Sequence, residues 1–322
     1  MTNNVEELKL DDALYVSEIP HIRSKESTSR IMIDVIIAMV PAILASVYFF
    51  GMRSVAVIGV SVISAVLSEY IYNKIMKKNN TVKDYSAIVT GILLAFNVPV
   101  SIPLPMVAFG SFFAIIVVKQ LFGGLGSNFM NPALAARALL MMSWPEEMTN
   151  FTAPMSDMVA TATPLSGGEA VSLMDAFIGK MPGSLGEVSA LCLLIGVVYL
   201  LIRKVITLRI PVTYILSTVI TLFICGVPAN ELLMHVLSGG LILGAFFMAT
   251  DYVSAPVSKK AQIVFAIGCG VLTAVIRVFG SMPEGVSFSI LVMNVVTPFL
   301  EKVMMPKPFG LEGAKKWKRQ YH

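Results

Sequence analysis

Residues 91–105 read GILLAFNVPVSIPLP, an apolar helix-forming run that ends among three prolines, Pro99, Pro103 and Pro105. A helix does not continue through this stretch, because proline lacks the backbone N–H and its ring clashes with the preceding turn. Of the 322 residues, 56% are hydrophobic and only 14% are charged, whereas soluble domains have about a quarter charged residues. Irregular backbone at membrane depth persists only where protein buries it or where it lines a cavity. The stretch therefore predicts a broken helix inside a polytopic membrane protein.

On both sides of this break, the chain contains apolar runs of about the length that crosses the hydrocarbon core of a bilayer. These runs predict ten membrane helices. The predicted segments are 31–50, 54–75, 85–98, 105–121, 128–143, 187–202, 208–225, 231–250, 261–279 and 285–301. The third and fifth segments are short for a full crossing. We expect them to be broken or re-entrant helices that pack inside an all-α bundle.

The basic residues predict the orientation. With the N-terminus in the cytoplasm, only Arg53, Lys180 and Arg277 among the 24 Lys and Arg residues fall on the outer side. The positive-inside rule predicts such a bias. Ten spans then place both termini in the cytoplasm.

Two apolar stretches are similar to each other, which predicts an internal repeat. GILLAF at 91–96 precedes proline-rich backbone, and GLILGAF at 240–246 precedes FMATDYVSAP at 247–256. Five spans per unit is an odd number, so the second copy is expected to be inverted, as in many transporters. The expected architecture is similar to that of urea and ammonium transporters. Chance similarity between apolar helices is the competing interpretation.

The segment 144–186 is the longest connection between predicted spans, and loops of this length in compact domains are usually functional. The predicted organisation is a cytoplasmic segment 1–30, a first repeat 31–143, this extracytoplasmic loop 144–186, a second repeat 187–301 and a basic cytoplasmic tail 302–322. The loop contains DMVATAT at 157–163. A threonine is a weak nucleophile without an activating base, and neither His nor Lys is adjacent. By itself the motif is also explained as an ordinary connector.

A glycine-rich turn joins the fourth and fifth segments, with Gly123, Gly124 and Gly126 followed by Asn131-Pro132. Glycines allow backbone to approach a ligand closely, and Asn-Pro is a favourable helix start. Free amides at such a helix start can bind an anion or a ring carbonyl. A tight turn between helices explains the same spacing equally well.

Ionisable residues inside predicted spans are functional candidates. These are Asp34, Glu69, Arg137, His235 and Asp251. Most lie near a predicted helix end, where snorkelling to the membrane surface is the simpler explanation. Cys192, Cys225 and Cys269 lie far apart in apolar runs, so we expect small buried side chains and no metal site.

Four motifs in order resemble one family. They are PHIRSKESTSRIMID at 20–34, GGLGSNFMNPA at 123–133, Thr163 with its context, and FMATDYVSAP at 247–256. Together they look like the D subunit of the Rnf complex, a bacterial ion-translocating ferredoxin:NAD oxidoreductase, and its relative, the B subunit of the sodium-pumping NADH:quinone reductase. The resemblance spans residues 18–310. It implies a membrane electron-transfer subunit in the bacterial cytoplasmic membrane.

The resemblance implies that Thr163 is esterified to the phosphate of FMN by a separate flavin transferase, which supplies the missing activation. The family pattern is Asp-x-x-Ser-Gly-Ala-Thr, and here Ala160 and Thr161 replace Ser and Gly while Ala162 is retained. Thr161 is therefore the alternative acceptor. Asp157, Ala162, Pro164 and Leu165 are the expected supporting residues of this flavin loop.

The resemblance also implies a second, non-covalent flavin such as riboflavin. The candidate residues for its pocket are Gly123, Gly124, Gly126, Asn128, Asn131, Arg137 and Asp251. The chain has neither iron–sulfur cysteines nor a dinucleotide-binding fingerprint, so the expected partners include the complex's iron–sulfur and flavin subunits. The basic tail Lys315–Arg319 is expected to bind anionic headgroups. The alternatives are an inverted-repeat solute channel or transporter and a purely structural membrane anchor.

Overall fold

The break that the prolines predict is present in the three-dimensional structure. A computed structural model describes residues 27–154, 160–161, 171–187, 189–280 and 285–304. Helix α3 (Ser86–Phe96) has Asn97 as its C-cap, and the next helix begins at Leu104 after irregular backbone. Ten of the eleven residues of α3 are buried. The expectation that this short helix packs inside the bundle is therefore confirmed.

The described residues are mostly helical, as predicted. The other helices are α1 (Thr28–Phe50), α2 (Met52–Ile75), α4 (Leu104–Phe112), α5 (Pro132–Ser143), α6 (Pro145–Thr149), α7 (Leu173–Ile178), α8 (Ala190–Ile202), α9 (Arg209–Ile224), α10 (Ala229–Leu237), α11 (Leu241–Leu243), α12 (Lys259–Phe279) and α13 (Val286–Met304). Helix α4 continues as a π-helix over Phe113–Gln120, and α11 continues as a π-helix over Gly244–Met248. A short 3₁₀ turn spans Val82–Asp84.

Each of the ten predicted segments coincides with a helix or a bent helix pair, which makes this a membrane-embedded all-α protein. By length and composition, α1, α2, α12 and α13 can each cross a membrane. The pair formed by α10 and Leu241–Met248 would make a fifth crossing. The remaining predicted spans correspond to apolar helices of 10–17 residues. Ten crossings, their orientation and the five-part division of the chain stay predictions.

The irregular backbone after α3 is satisfied by other parts of the protein. The amides of Leu185 and Gly186 donate to the carbonyls of Val98 and Phe96 at 3.1 and 3.0 Å. The guanidinium of Arg53 donates to the carbonyls of Val100 and Ile102, at 3.4 and 2.9 Å. These bonds replace those that a continuous helix would make, and an unmade buried bond is costly.

A second break interrupts the predicted eighth span, 231–250. Helix α10 and the segment Leu241–Met248 are bent by 63° around Gly239-Gly240. The guanidinium of Arg277 donates to the carbonyls of His235, Ser238 and Gly239 at 2.5 to 3.1 Å. Each break is therefore stabilised by an arginine from a neighbouring long helix.

The helices pack in pairs that are related across the two halves of the chain. Helix α2 packs on α4, and α9 packs on α12. Helix α1 packs against α8, and α5 contacts α13. Each of these last two pairs joins the same position in the two expected repeats. The repeat and its inverted relation stay predictions.

The connection 144–186 contains more structure than expected. Helices α6 and α7 lie within it, and strands β1 (Phe151–Thr152) and β2 (Ala160–Thr161) form a two-residue antiparallel ladder. Phe151 and Thr152 are buried. Elements this short are stabilised by tertiary contacts and leave no periodic hydrophobic pattern in the sequence. The sequence therefore did not predict them. Residues 1–26 and the tail from 305 lie outside the described residues.

Close packing of α1 on α8 yields a testable prediction. A Cβ atom on Gly196 would lie 2.0 Å from the carbonyl oxygen of Ala38 in α1, whereas a Cβ on Gly59 in α2 meets nothing within 4 Å. We expect Gly196→Ala to destabilise the protein by about 1–3 kcal/mol, as overpacking does. Thermal unfolding in detergent measures this loss. Gly59→Ala is the matched control, and equal melting temperatures of the two variants would contradict the packing of α1 on α8.

Candidate functional site

A cavity lies between α1, α3, the start of α5, the end of α8 and the second broken helix. It contains about 770 Å³ of space, including its mouth, and its walls are mostly apolar. The residues with polar side chains on its walls are Ser86, Thr90, Lys119, Asn128, Asn131, Thr250, Asp251 and Tyr252. Apolar walls with a few polar groups are typical of cofactor sites.

The glycine-rich turn leads into this cavity. Gly123, Gly124 and Gly126 all have positive φ, a conformation that glycine adopts without strain. The side chain of Asn131 accepts hydrogen bonds from the amides of Ala133 and Leu134 and so caps α5. The predicted Asn-Pro helix start is therefore confirmed, although the predicted segment 128–143 begins four residues before the first helical residue, Pro132. The Asn131 amide also donates to the carbonyl of Met248 at 3.4 Å, which joins α5 to the second broken helix.

Asp251 lies in the turn after the second broken helix. Its carboxylate accepts from the Ser254 hydroxyl at 2.8 Å and from the Val253 amide at 3.5 Å. Burial raises the pKa of this carboxyl above its ordinary value of 3.8, although these hydrogen bonds partly oppose the shift. The adjacent Tyr252 hydroxyl donates to the carbonyl of Val205. Burial also raises the pKa of Tyr252.

The residues expected at a second-flavin pocket do not lie together. Asn128, Asn131 and Asp251 line the cavity together. Gly123 and Gly124 line a separate polar pocket, and Gly126 lies in the turn between these two places. Arg137 lies elsewhere, at the end of α3.

Three of the polar residues that line the cavity were not predicted from the sequence. They are Ser86, Thr90 and Lys119. No local pattern marks them, because only the fold brings their elements together around one space.

Arg137 belongs to a buried cluster that connects the two halves of the chain. Its guanidinium donates to Asn97 Oδ1 at 2.7 Å and to Glu187 Oε1 at 3.4 Å. The Asn97 amide donates to the carbonyl of Leu93 at 2.6 Å and contacts the sulfur of Met248 at 3.5 Å. The side chains of Arg137 and Glu187 are only 5% and 2% exposed. The cluster therefore fixes the end of α3 against the segment that precedes α8.

A second buried cluster centres on Glu69 in α2. Lys119 Nζ lies 2.9 Å from Glu69 Oε2, and the amide of Gln120 donates to Glu69 Oε1 at 3.0 Å. Thr81 donates to the same carboxylate at 2.5 Å, and Lys119 also donates to Ser86. All five side chains therefore form one connected network. Lys119 follows an apolar run, which gave no signal that its ammonium would be buried.

Asp34 forms a third ion pair, at the α1–α8 contact. Its carboxylate accepts from the Tyr199 hydroxyl at 2.8 Å and from Arg203 at 3.0 Å. Asp34, Glu69 and Arg137 are only 5%, 0% and 4% exposed. The snorkelling interpretation is therefore wrong for Glu69 and Arg137, because their partners are buried as well, whereas the side chain of Arg203, the partner of Asp34, is 34% exposed. A partner on a distant element leaves no signal in the local sequence.

The loop expected to bind flavin is described only in part. Asp157, Ala162, Thr163, Pro164 and Leu165 lie outside the described residues. The backbone of Thr161 pairs with Phe151 in the β1–β2 ladder. Just before strand β1, the carbonyl of Asn150 accepts a hydrogen bond at 2.5 Å from the hydroxyl of Ser101, which belongs to the irregular backbone after α3.

These features define a class: a helical membrane protein with broken helices, buried ion pairs and a mostly apolar cavity between its two halves. Comparison with known protein families gives a more specific assignment. The chain belongs to the NQR2, RnfD, RnfE family, whose model matches residues 15–310.

Individual relatives agree with this assignment, and each is the D subunit of its complex. The relative from the Na⁺-translocating ferredoxin:NAD⁺ oxidoreductase complex of Acetobacterium woodii is 49% identical over 312 residues, which cover 94% of this chain and 97% of the relative. The relative from the proton-translocating ferredoxin:NAD⁺ oxidoreductase complex of Clostridium ljungdahlii is 42% identical, with coverages of 92% and 96%. The relative from the ion-translocating oxidoreductase complex of Methanosarcina acetivorans is 36% identical, also with coverages of 92% and 96%. The resemblance to the D subunit of Rnf complexes is confirmed.

The Arg137 cluster yields a prediction about buried charge. Arg137→Met leaves Glu187 in the interior without this partner, a change that costs about 3–5 kcal/mol in comparable buried pairs. We therefore expect a large fall in the melting temperature, measured by thermal unfolding of the monodisperse protein in detergent. The double variant R137M/E187Q should recover part of the loss, because no uncompensated carboxylate remains. A double variant that loses more stability than the two single variants lose together would contradict the pairing.

Asp251 yields a prediction about pH. Because its folded pKa lies above the unfolded one, protonated Asp251 stabilises the fold at low pH, and this contribution is lost as the pH rises through the folded pKa. The melting temperature of the wild type should therefore fall relative to that of Asp251→Asn as the pH rises from below 3.8 to neutral. Glu146→Gln, at an exposed position, is the control and should track the wild type. A constant difference between wild type and D251N across this range would overturn the assignment.

Proposed function

We propose that this protein is the membrane electron-transfer D subunit of an ion-translocating ferredoxin:NAD oxidoreductase complex of the Rnf type, with FMN covalently bound to Thr163. The observation behind the proposal is the 49% identity to the Acetobacterium woodii relative across nearly the whole of both chains. The iron–sulfur and flavin subunits of the complex are the proposed electron-transfer partners. A flavin transferase is the proposed maturation partner.

The β1–β2 ladder supports a fixed position for the proposed attachment loop. Its strand β2 ends two residues before Thr163, and β1 is buried against the protein. A backbone fixed this close to the acceptor limits how far a phosphoester-bound cofactor can move. Covalent attachment also keeps a cofactor from being lost by dilution on the outer side of the membrane. Bound FMN would accept two electrons and release them singly.

The cavity beside Asn128, Asn131 and Asp251 supports a second, non-covalent flavin such as riboflavin. Its apolar walls suit a flat aromatic ring, and the two side-chain amides offer donors and acceptors to ring carbonyls and nitrogens. A protonated Asp251 would add a donor. The role of this chain's residues here would be to bind and orient the ring and to exclude water from it.

The proposed membrane arrangement is two inverted repeats with ten crossings and both termini in the bacterial cytoplasm. The equivalent contacts α1–α8 and α5–α13 and the two broken helices support it. The distribution of basic residues supports the orientation. The tail Lys315–Arg319 would bind anionic lipid headgroups on the cytoplasmic side.

The main prediction is that the polypeptide is fluorescent, because flavin is covalently bound to it. Co-expressed with a flavin transferase, the denatured wild-type chain should give a fluorescent band in a gel, and mass mapping should find one phosphoflavin on the Thr163 peptide. Thr163→Ala should be dark, because its side chain has no oxygen to esterify.

Thr161→Ala is the matched control, since it removes the neighbouring hydroxyl and leaves Thr163 in place. T161A should remain fluorescent. A dark T161A beside a fluorescent T163A would move the attachment to Thr161. A dark wild-type chain beside an active transferase would overturn the flavin proposal and favour the channel or anchor alternatives.

A further inference from the structure

An exposed apolar groove runs along the contact between α1 and α8. The two helices are antiparallel: Asp34 contacts Tyr199 and Arg203, whereas Ala38, further along α1, lies against Gly196, further back in α8. A residue one position before a contact residue is turned about 100° away from the contact. In an antiparallel pair these preceding residues all face the same side. They are Ile33, Ile37, Ile195, Val198 and Ile202, and each is between 39% and 73% exposed.

One end of this groove is positively charged. Asp34 Oδ2 accepts from Nε and Nη2 of Arg203 at 3.2 and 3.0 Å, and Asp34 Oδ1 accepts from the Tyr199 hydroxyl at 2.8 Å. Arg30 lies one turn before Asp34 in α1 and is attracted to the same carboxylate. Lys204 directly follows Arg203, and both Arg30 and Lys204 are exposed. Three cations beside one carboxylate leave this end with an excess of positive charge.

The fold does not require a lysine at position 204. The residue has a φ of 56°, a left-handed conformation that glycine adopts with the least strain. The amides of Lys204 and Val205 donate to the carbonyls of Leu201 and Leu200 at 3.0 and 2.9 Å, which closes the end of α8. Glycine is the usual residue in such a helix end. The ammonium group of Lys204 therefore needs an explanation other than the turn.

The groove and its charged end together match a lipid with an anionic headgroup. Tyrosine rings are enriched where the membrane meets water, so Tyr199 places the cations at headgroup depth. Basic pockets between membrane helices bind anionic headgroups. The exposed isoleucines below this depth offer acyl chains an apolar surface. An apolar helix of another subunit would also cover that surface, but it would bring no negative charge to the three cations.

We propose that this groove binds one anionic phospholipid, with its phosphate beside Arg30, Arg203 and Lys204 and its acyl chains along the exposed isoleucines. Asp34 is a positioning residue, because it fixes the Arg203 guanidinium against α1. The bound lipid would contact both α1 and α8 and so strengthen a contact between the two halves of the chain. The proposed orientation of the protein places the site in the cytoplasmic leaflet, whereas the site itself does not depend on that orientation or on the flavin.

The test compares two lipids with the same acyl chains. The purified full chain in detergent should melt at a higher temperature with dioleoylphosphatidylglycerol than with dioleoylphosphatidylcholine, because a ligand that binds only the folded state stabilises it. Native mass spectrometry measures the affinity for the first phosphatidylglycerol. Lys204→Gly should weaken that affinity about fivefold, the effect of one basic residue near a membrane surface. Without lipid it should melt close to the wild type, because glycine suits the positive φ.

Arg30→Gln gives a second measurement that leaves the Asp34–Arg203 pair in place, and we expect a similar loss. The matched control is Lys77→Gly. Lys77 follows α2 with a φ of 53°, so this variant makes the same charge change in the same kind of turn away from the groove. It should keep the wild-type affinity. Unchanged affinity in both K204G and R30Q, or an equal loss in K77G, would overturn the proposal.

Photocrosslinking in the assembled complex decides between a lipid and another subunit. With p-benzoylphenylalanine in place of Val198, irradiation of native membranes should give a phospholipid adduct on the peptide that contains position 198. A crosslink to another polypeptide would overturn the proposal and assign the groove to a contact between subunits.

Discussion

The structure depends on satisfying backbone polar groups in a protein with few polar side chains. The two helix breaks expose carbonyls where water does not reach them in a membrane. At the first break, the amides of Leu185 and Gly186 and the side chain of Arg53 meet these carbonyls. At the second, Arg277 does so. Without these donors, each break would cost the desolvation of several carbonyls.

This constraint also explains an irregularity in the charge pattern. Arg53 and Arg277 are two of the three basic residues that the expected topology places on the outer side. Both bind broken-helix carbonyls, which a cation satisfies well and a neutral donor satisfies less strongly. Both arginines are therefore exceptions to the positive-inside rule because they donate hydrogen bonds to broken-helix carbonyls.

The buried ion pairs connect elements that are far apart in the sequence. Asp34 joins α1 to α8, Arg137 joins the end of α3 to the segment before α8, and Glu69 joins α2 to the π-helix. Two of these three pairs connect the halves of the chain. These pairs lie beside the cavity, because residues of α1, α3, α8 and the π-helix that ends at Gln120 line it. The same pairs leave Asn131 and Asp251 close enough to line one cavity.

The amino-acid sequence was sufficient to predict the membrane class, the ten apolar helical segments, the break at Pro99–Pro105, the Asn131 cap and the family. These follow from local composition, from the missing N–H of proline and from motifs in order. Packing between distant elements decided that Asn128, Asn131 and Asp251 share a cavity while Arg137 does not. It also decided that Glu69 meets Lys119 and that Asp34 meets Arg203. The physical reason is that hydrophobic periodicity reports which face of a helix is buried, whereas ion pairs and cavities depend on which distant element covers that face.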